Sequence, residues 1–547
     1  MPKLTIDGKA IEVPAGTNLI EAARMVGVEV PHYCYHPGLP VAGACRLCMV
    51  DLDKAPRPTI ACNTQAVEGM VVLTQTPRVL DTRRSVMEWH LVNHPLDCPV
   101  CDQAGECWLQ IYYMQHGLYE PRMIDDKVRK PKAVPIGPHV MLDAERCILC
   151  SRCVRFCDTV TRTGELGIFH RGDHSEIGLF PGTALDNAYS GNVVDICPVG
   201  ALTDRDFRFQ ARVWYLDRGK SVCPGCARGC NIEVHTNTKR THHAQGRQVV
   251  RLKPRFNGDV NQWWMCDAGR YGFGDVDAPT RLLAPAVRAA DGQRAVEWSE
   301  AVALLARQLQ DAGGEAIGVF LSPGLPNEDL WLARRLLVDT LGVRAVAVHA
   351  PPRTPGVADD LLIVADKHPN SRGAALMGLD GAAAGGADGS RVLEAARAGR
   401  LRVLWVFGHD LLDTGWPEAA VAQALDRVPY LVFQGPNGNG TSQRAHLVLP
   451  AAAWVEREGT YTNVGGRVQR FWRAVPPLGA ARPDWEILAE VARALGHEWR
   501  PTRAEHLFRE LAAGVPAFAG LSYRGLGDHG AVVANGAQGA GGAGGPD

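Results

Sequence analysis

"NHPLDCPVCDQAGECW", residues 93–108, is the stretch from which the organisation of this chain can be worked out. It carries three cysteines at ligand-like spacing, Cys98, Cys101 and Cys107. A tetrahedral metal ion or an iron–sulfur cube needs four donors, so one further ligand is required. Imidazole nitrogen can replace thiolate on iron, and the chain offers His94, just before Cys98, and His90, one helical turn earlier. Spacing favours His94, although the alternative for either histidine is a solvated residue at a helix end.

The 16 cysteines are confined to the first half of the chain. All lie between Cys34 and Cys266. In a reducing compartment, clustered cysteines indicate metal ligands rather than disulfides. The first half is therefore predicted to bind metal.

The overall composition argues against several other classes of protein. The 58 Lys and Arg residues balance 59 Asp and Glu residues, which gives no indication of nucleic-acid or anionic-membrane binding. The opening "MPKLTIDGKAIEVPAG" has the pattern of neither a signal peptide nor a transit peptide. No apolar run approaches the roughly 18 to 20 residues of a membrane helix. We therefore expect a cytoplasm-like compartment, with attachment to a membrane only through partners.

The first set of cysteines follows the pattern C-x10-C-x2-C-x13-C. It consists of Cys34, Cys45, Cys48 and Cys62. Four thiolates spread over a loop in this way suit a [2Fe–2S] cluster, in which each iron needs two sulfur ligands. The alternative is a zinc ribbon with four cysteine ligands.

The third set begins with the run "CILCSRCVRFC", residues 147–157. In two-cluster ferredoxins the fourth cysteine of such a run binds the other cluster, so the first three need a remote partner. Cys197, in "DICPVGAL", is a cysteine of the right kind. The predicted [4Fe–4S] ligands are Cys147, Cys150, Cys153 and Cys197. Cys157 is left over and is interpreted as a small buried apolar residue.

The fourth set has the spacing C-x2-C-x3-C-x35-C. It consists of Cys223, Cys226, Cys230 and Cys266. A zinc site is possible, but three other sets on the same chain favour another [4Fe–4S] cluster. Such clusters move one electron at a time, and no G-x-G-x-x-G dinucleotide fingerprint is evident. Several centres on one chain therefore predict an electron relay rather than an active site.

Hydrophobic patterns predict the surrounding architecture. "KLTIDGKAIEV", residues 3–13, alternates around an Asp-Gly pair and predicts a hairpin. "GTNLIEAARMVGV" predicts a helix with Thr17 or Asn18 as N-cap and Gly27 as its stop, so the region is a small α+β unit. A second helix is expected at 79–92, ending near a proline.

Beyond about residue 300, short apolar runs alternate with helical segments such as "NEDLWLARRLLVDTLG". The predicted strands are "AIGVFLS", "DDLLIVA", "LRVLWVFGHD" and "YLVFQG". Strands alternating with helices predict a parallel α/β domain. The Gly/Ala-rich end, residues 531–547, is predicted to be a disordered tail.

"HPLDCPVCDQAGEC" resembles the motif of one histidine and three cysteines in the large iron–sulfur subunit of NADH:quinone oxidoreductase (respiratory complex I). Iron hydrogenases and some hydrogenase or formate dehydrogenase subunits share it. The first and third sets resemble the [2Fe–2S] and following [4Fe–4S] domains of that subunit. "RLKPRFNGDVNQWWMCDAGRYGF" and "HLVLPAAAWVEREGTYTNVGGRVQR" are similar to segments of the molybdopterin oxidoreductases. The resemblance covers about residues 1–475.

The resemblance implies a multidomain fold. An α+β ferredoxin-like (β-grasp) [2Fe–2S] domain and loop-rich [4Fe–4S] domains precede an α/β molybdopterin-oxidoreductase-like domain. The expected domains are 1–78 with the [2Fe–2S] cluster, 79–120 with one histidine and three cysteines, 138–215 of ferredoxin type, 218–276 of the Mo/W-oxidoreductase [4Fe–4S] type, and 277–530 of molybdopterin-oxidoreductase type without an evident metal ligand.

The resemblance also implies the ligands and cofactors. His94 joins Cys98, Cys101 and Cys107 around one [4Fe–4S] cluster, and the other three sets bind as described above. One [2Fe–2S] and two to three [4Fe–4S] clusters are expected, with no catalytic residue. No molybdenum is expected, because a cysteine that could bind it is lacking after Cys266.

The function implied is relay of electrons from a flavin/NADH module toward quinone. The expected partners are the flavin/NADH-binding subunit, a small [2Fe–2S] subunit and the quinone-side subunits of the peripheral arm, with no nucleic acid. The expected location is peripheral, on the cytoplasmic side of the inner (plasma) membrane. The alternative is a subunit of an NAD-linked molybdenum formate dehydrogenase or of a hydrogenase.

Overall fold

The computed structural model describes residues 1–53, 55–170, 172–290, 292–349, 357–379, 389–413 and 415–534. These residues form two compact units. The first comprises Met1–Leu216 and His243–Gln245, and the second comprises Asp217–His242 and the described residues from Gly246 onward. None of the helices in these ranges has the length and apolar character needed to cross a membrane.

The first unit begins with a mixed sheet of five strands, in the α+β arrangement predicted for this region. Its strands stand in the order Lys9–Glu12, Lys3–Ile6, Met70–Leu73, Met49–Leu52 and Thr59–Ile60. The second strand in this order is antiparallel to the first and parallel to the third. The apolar core of this part combines strand and helix side chains, among them Leu4, Ile6, Leu19 and Ile20.

Two local signals explain how this part begins. Asp7 and Gly8 form the turn of the predicted hairpin with φ of 45° and 80°, as a type I′ turn requires. Asn18 caps the next helix, Leu19–Met25, because its side-chain oxygen accepts a backbone N–H of the first turn at 3.0 Å. The predicted hairpin and helix are confirmed, and Asn18 rather than Thr17 is the cap.

Short elements separated by loops make up the rest of the first unit. Its other α-helices are Pro77–Leu91, Trp108–His116, Arg152–Phe156 and Asn192–Ile196, and a π-helical turn spans Cys157–Thr161. Its other strands are Val134–Pro135, Val140–Leu142, Leu166–Phe169, Glu176–Leu179 and Leu202–Asp204. The helix predicted at 79–92 is confirmed, and it ends before Pro95.

The second unit opens with a three-stranded antiparallel sheet. Its strands, in spatial order, are Asp217–Val222, Asn231–Thr236 and Val249–Pro254. The loop between the first two strands carries Cys223, Cys226 and Cys230. The short helix Asp267–Tyr271 begins immediately after Cys266, so the fourth set of cysteines lies on the loops around this sheet.

A seven-stranded sheet forms the main body of the second unit. Its strands stand in the order Gly292–Ala295, Ala286–Ala289, Leu447–Pro450, Tyr430–Gly435, Val403–Phe407, Ile317–Leu321 and Ala345–Val348. The last five are mutually parallel, and the first two form an antiparallel hairpin at one edge. The predicted parallel α/β organisation is confirmed, and the strands predicted at "AIGVFLS", "LRVLWVFGHD" and "YLVFQG" are neighbours in this sheet.

Helices and a further small sheet complete the second unit. The α-helices are Trp298–Ala312, Asn327–Ala333, Ser371–Leu376, Gly389–Arg397, Glu418–Arg427, Gly440–Arg444, Asp484–Ala494, Ala504–Gly514 and Tyr523–Leu526, and a π-helix spans Arg334–Thr340. The small sheet has the order Gly459–Thr462, Arg467–Phe471 and Ala531–Val532.

The strand predicted at "DDLLIVA", residues 359–365, is wrong. The Asp359 carboxylate accepts the backbone N–H groups of Leu361, Leu362 and Ile363 at 3.0, 2.9 and 2.9 Å. A side chain that binds its own following backbone offers those N–H groups an alternative to a strand ladder. The segment therefore turns here instead of joining the sheet.

The predicted tail at 531–547 falls mostly outside the described residues. Its first two residues, Ala531–Val532, pair antiparallel with Arg467–Phe471. Residues 535–547 are not described.

We expect Trp405→Ala to lower the free energy of unfolding of the second unit by about 3–5 kcal/mol, because it leaves a cavity in the core. Trp405 is fully buried on a central strand, and its ring stacks on Phe407 with 4.8 Å between centroids. Denaturant titration followed by circular dichroism measures the change. Trp89→Ala is the matched control, because Trp89 is 71% exposed; an equal loss in both variants would contradict the expectation.

Candidate metal centres

The four cysteines of the first set are buried in two hydrogen-bonded pairs. The Cys45 thiol donates to Cys34 Sγ, and this bond lowers the pKa of Cys34 to about 5. The Cys48 thiol donates to Cys62 Sγ in the same way and lowers the pKa of Cys62. The same bonds, together with burial, raise the pKa of Cys45 and Cys48. The two pairs also interact electrostatically with each other, so the structure brings all four sulfur atoms together as one donor set.

Strand pairing explains how distant residues of this set meet. Cys48 lies just before Met49–Leu52, and Cys62 follows Thr59–Ile60; these two strands are paired. The Ala61 N–H then donates to the Cys48 carbonyl at 2.9 Å, which fixes the two cysteine loops side by side.

Backbone N–H groups also point at the sulfur atoms of the first set. The Tyr33 N–H donates to Cys45 Sγ at 3.4 Å, and the Cys45 N–H donates to Cys34 Sγ at 3.5 Å. Hydrogen bonds of this kind stabilise the thiolate form, which is the form that binds metal. The loop is therefore built to hold deprotonated sulfur.

The three cysteines of the second set are also brought together. Cys98 is exposed, whereas Cys101 and Cys107 are buried. Burial raises the pKa of Cys107 to about 11, and the backbone N–H groups of Gln110 and Leu109 oppose this rise. These N–H groups belong to the first turn of Trp108–His116, which begins directly after Cys107. The three sulfur atoms are electrostatic neighbours.

The two candidate histidines have different surroundings. His94 Nδ1 is buried and has no hydrogen-bond partner among the described residues. Burial lowers the pKa of His94 to about 4, so its imidazole is neutral, as a ligand must be. Arg146 is an electrostatic neighbour of both His94 and Cys101. His90 lies instead at the first set, with Nε2 at 3.2 Å from the Cys45 carbonyl oxygen. This arrangement supports His94 as the fourth donor.

The third set surrounds a small, largely apolar cavity. Its lining includes Cys147, Cys150, Cys153 and Cys197. Leu149 and Ser151, between the cysteines, have φ of 55° and 58°, and this left-handed backbone curls the loop around the cavity. The Leu149 N–H donates to Cys147 Sγ at 3.4 Å. The remote Cys197 is thus placed with the three cysteines of the run.

Cys157 does not line this cavity. It is fully buried, and its thiol donates to the Glu165 carboxylate. Burial, with this carboxylate, raises the pKa of Cys157, so the residue is held as a neutral thiol. Its place in the π-helical turn Cys157–Thr161 is what turns it away from the run.

The fourth set lines a cavity of about 590 Å³ within the second unit. Cys223, Cys226, Cys230 and Cys266 form one part of its wall. The Gly269 N–H donates to Cys266 Sγ at 3.4 Å. A Cβ added at Gly269 would lie 2.9 Å from Cys223 Sγ and 3.5 Å from Cys266 Sγ, so only glycine permits this close approach.

Buried charges line another part of the same cavity, and sequence reasoning did not identify them. Arg457 forms ion pairs with Asp484 and, at 3.2 Å, with Asp329, and all three are at least nine-tenths buried. Burial raises the pKa of the adjacent Glu328 to about 7. The available signal was the charged pair in "WVEREGTYTN", set within an apolar segment.

The donor sets suit iron–sulfur clusters chemically. Thiols predominate, most are buried, and backbone N–H groups face several of them, which are the features that hold such clusters and tune them. Among the described residues, no group of three or more His, Cys, Asp or Glu side chains could hold a single metal ion. A cluster spreads its irons apart, so its ligands need not converge on one point.

The second and third sets are packed against each other within the first unit. A Cβ added at Gly200 would lie 2.2 Å from Cys101 Sγ. The Trp108 N–H donates to the Pro198 carbonyl at 2.9 Å, which joins the residue after Cys107 to the residue after Cys197. "CPVG" therefore serves both sets, a role that spacing alone did not predict.

We expect Gly200→Ala to lower the iron content of the purified chain, because the added methyl group would displace the Cys101 sulfur. Iron and sulfide analysis measures the loss, which should affect the second set. Gly274→Ala is the matched control, because a Cβ at Gly274 would meet nothing within 4 Å. Unchanged iron in the Gly200 variant would contradict the close contact.

Five family models match the chain, in an order that agrees with the predicted one. They are "2Fe-2S iron-sulfur cluster binding domain" at residues 2–77, "NADH-ubiquinone oxidoreductase-G iron-sulfur binding region" at 83–122, "NADH-quinone oxidoreductase subunit 3, ferredoxin-like domain" at 137–203, "Molybdopterin oxidoreductase Fe4S4 domain" at 217–278 and "Molybdopterin oxidoreductase" at 362–494. The chain therefore combines one [2Fe–2S] domain, several [4Fe–4S] domains and a molybdopterin-oxidoreductase-like domain, as predicted.

Curated relatives span nearly the whole chain. The NADH-quinone oxidoreductase-G protein of Rickettsia bellii is 30% identical over 95% of this chain and 90% of the relative. "NADH dehydrogenase [ubiquinone] iron-sulfur protein 1, mitochondrial" of Solanum tuberosum is 30% identical over 90% of this chain and 80% of the relative. A solved NAD+-reducing [NiFe]-hydrogenase chain is 29% identical over 39% of this chain and 91% of that chain, with a TM-score of 0.36, too low to support an argument. This chain belongs to the NADH-quinone oxidoreductase-G family of iron–sulfur subunits, together with their mitochondrial counterparts.

Proposed function

We propose that this chain is the electron-relay subunit of NADH:quinone oxidoreductase, carrying electrons from a flavin/NADH module toward quinone. The observation that carries the proposal is the grouping of fifteen cysteines and His94 into four separate donor sets, three of them in the first unit. Membership of the NADH-quinone oxidoreductase-G family supports it. The chain is an oxidoreductase component, and we place the NADH and quinone sites on other subunits.

The proposed ligands follow the four sets. They are Cys34, Cys45, Cys48 and Cys62 for the [2Fe–2S] cluster, and His94 with Cys98, Cys101 and Cys107, then Cys147, Cys150, Cys153 and Cys197, then Cys223, Cys226, Cys230 and Cys266 for [4Fe–4S] clusters. Such clusters supply one-electron transfer when bound. The chain's own residues hold the sulfur donors, keep most of them from water, and donate N–H groups to them.

The partners and the location belong to the same proposal. We propose contacts with the flavin/NADH-binding subunit, a small [2Fe–2S] subunit and the quinone-side subunits of the peripheral arm. The chain would then be peripheral, on the cytoplasmic side of the inner membrane. Relatives that are subunits of a larger complex support assembly with other chains.

The deciding experiment is electron paramagnetic resonance (EPR) of the purified chain, with iron and sulfide counts. We expect one binuclear and three cubane centres after reduction, because four donor sets are present. Two cubane centres would retire the fourth set as a cluster site. Colourless protein containing zinc would contradict the relay, and molybdenum with formate-dependent dye reduction would favour the formate dehydrogenase alternative.

We expect His94→Ala to remove or alter one cubane EPR signal while leaving the binuclear signal intact, because it deletes the nitrogen donor of the second set. His90→Ala is the matched control, since His90 lies nearby but contacts the Cys45 carbonyl. It should keep every cluster. Loss of a cubane in the His90 variant, with none lost in the His94 variant, would reverse the assignment.

A further inference from the structure

The short helix Arg152–Phe156 carries two arginines one turn apart, within the run of the third set. Residues three apart on a helix lie on the same side, so both guanidinium groups leave the helix in related directions. Arg152 is 7% exposed, and Arg155 is half-buried. Neither is a metal ligand, and the proposed function gives neither of them a role.

Arg155 joins the third set to the first. Its Nη2 donates to the Cys34 carbonyl at 2.5 Å and to the Cys150 carbonyl at 3.2 Å. Its Nη1 donates to the Pro40 carbonyl, and its Nε donates to Ser151 Oγ at 3.1 Å. One nitrogen atom therefore binds the main chain of a proposed ligand from each of two donor sets.

Arg152 makes a second bridge between the same two loops. Its Nη1 donates to the Ile196 carbonyl at 3.0 Å, and its Nη2 donates to the Tyr35 carbonyl. Ile196 directly precedes Cys197, and Tyr35 directly follows Cys34. Both arginines thus connect the Cys34 loop with the loops of the third set.

The charges of these arginines are not neutralised by carboxylates. In the described part of the chain, every hydrogen-bond partner of the two guanidinium groups is a backbone carbonyl or the Ser151 hydroxyl. Burying an unpaired cation is costly, so an opposite charge is needed nearby.

Sulfur atoms of both sets supply the opposite charge. Burial lowers the pKa of Arg152, while the electrostatic effect of Cys150, Cys197, Cys45 and Cys34 opposes that fall. Two of these cysteines belong to each set. The thiolates that bind iron would therefore be the counter-charges of a shared cation.

We propose that Arg152 and Arg155 are positioning residues that hold the ligand loops of the first and third sets together and set the reduction potentials of both centres as a pair. This inference rests on the proposed function. A nearby positive charge favours the reduced, more negative state of a cluster, so it raises the potential. A planar guanidinium group also suits a bridge, because its donors point in fixed directions.

Another arginine provides a matched control. Arg212 donates to the Cys101 carbonyl at 2.5 Å and to the Pro99 carbonyl at 2.6 Å, so its contacts are with the second set. Its loss should affect the second centre and leave the first and third unchanged. Arg152, Arg155 and Arg212 therefore differ in which loops they bind and not in the type of bond.

The test is an EPR-monitored redox titration of the full chain with its clusters, for Arg152→Gln, Arg155→Gln and Arg212→Gln. We expect Arg152→Gln and Arg155→Gln each to lower the midpoint potentials of the binuclear centre and of one cubane together. The other two centres should keep their potentials. Arg155→Lys, which retains the charge, should restore both potentials at least in part.

Iron and sulfide counts separate the possible failures. If the unsubstituted chain lacks the clusters, the proposed function itself fails. If the clusters are present and both glutamine variants, fully loaded, leave the two potentials unchanged or shift all four centres equally, the pairing proposal is wrong. If a glutamine variant loses iron, Arg155→Lys decides: potentials of the binuclear centre and the cubane that match those of the unsubstituted chain support the proposal, and any other result contradicts it.

Discussion

The burial of thiol groups is the constraint on which this structure depends. A thiolate in an apolar interior is costly unless metal or hydrogen-bond donors offset its charge. Most of the cysteines in the four sets are buried, and the loops that carry them turn backbone N–H groups toward sulfur, as at Tyr33 and Leu149. The short strands and helices of the first unit have one shared consequence, which is to place such loops.

The three donor sets of the first unit are joined by main-chain contacts. The Trp108 N–H binds the Pro198 carbonyl, and Gly200 lies against the Cys101 sulfur. Arg152 and Arg155 connect the third set with the first. A change in one loop is therefore expected to reach its neighbour, because close-packed interiors transmit small displacements.

The second unit solves a different problem. Its seven-stranded sheet and surrounding helices build a large core, and the cavity next to the fourth set contains buried charges that pair with one another. Breaking a buried ion pair leaves an uncompensated charge, so Arg457, Asp329 and Asp484 stabilise this region only as a group. The cavity wall is thus partly sulfur and partly a neutralised ionic network.

Sequence alone determined the features that depend on local chemistry. The Asp-Gly turn, the Asn18 cap and the spacing of cysteines are short-range patterns, and they were sufficient to predict the hairpin, the first helix and the four sets. The apolar runs also predicted the parallel sheet, except at "DDLLIVA", where the Asp359 carboxylate competes for the backbone. Tertiary structure decided what depends on residues far apart in the chain. It placed His90 at the first set and left His94 Nδ1 without a partner among the described residues, directed Cys157 to Glu165, and brought Arg152 and Arg155 to the Cys34 loop. Spacing along the chain measures only local reach, whereas these contacts join segments that folding brings together.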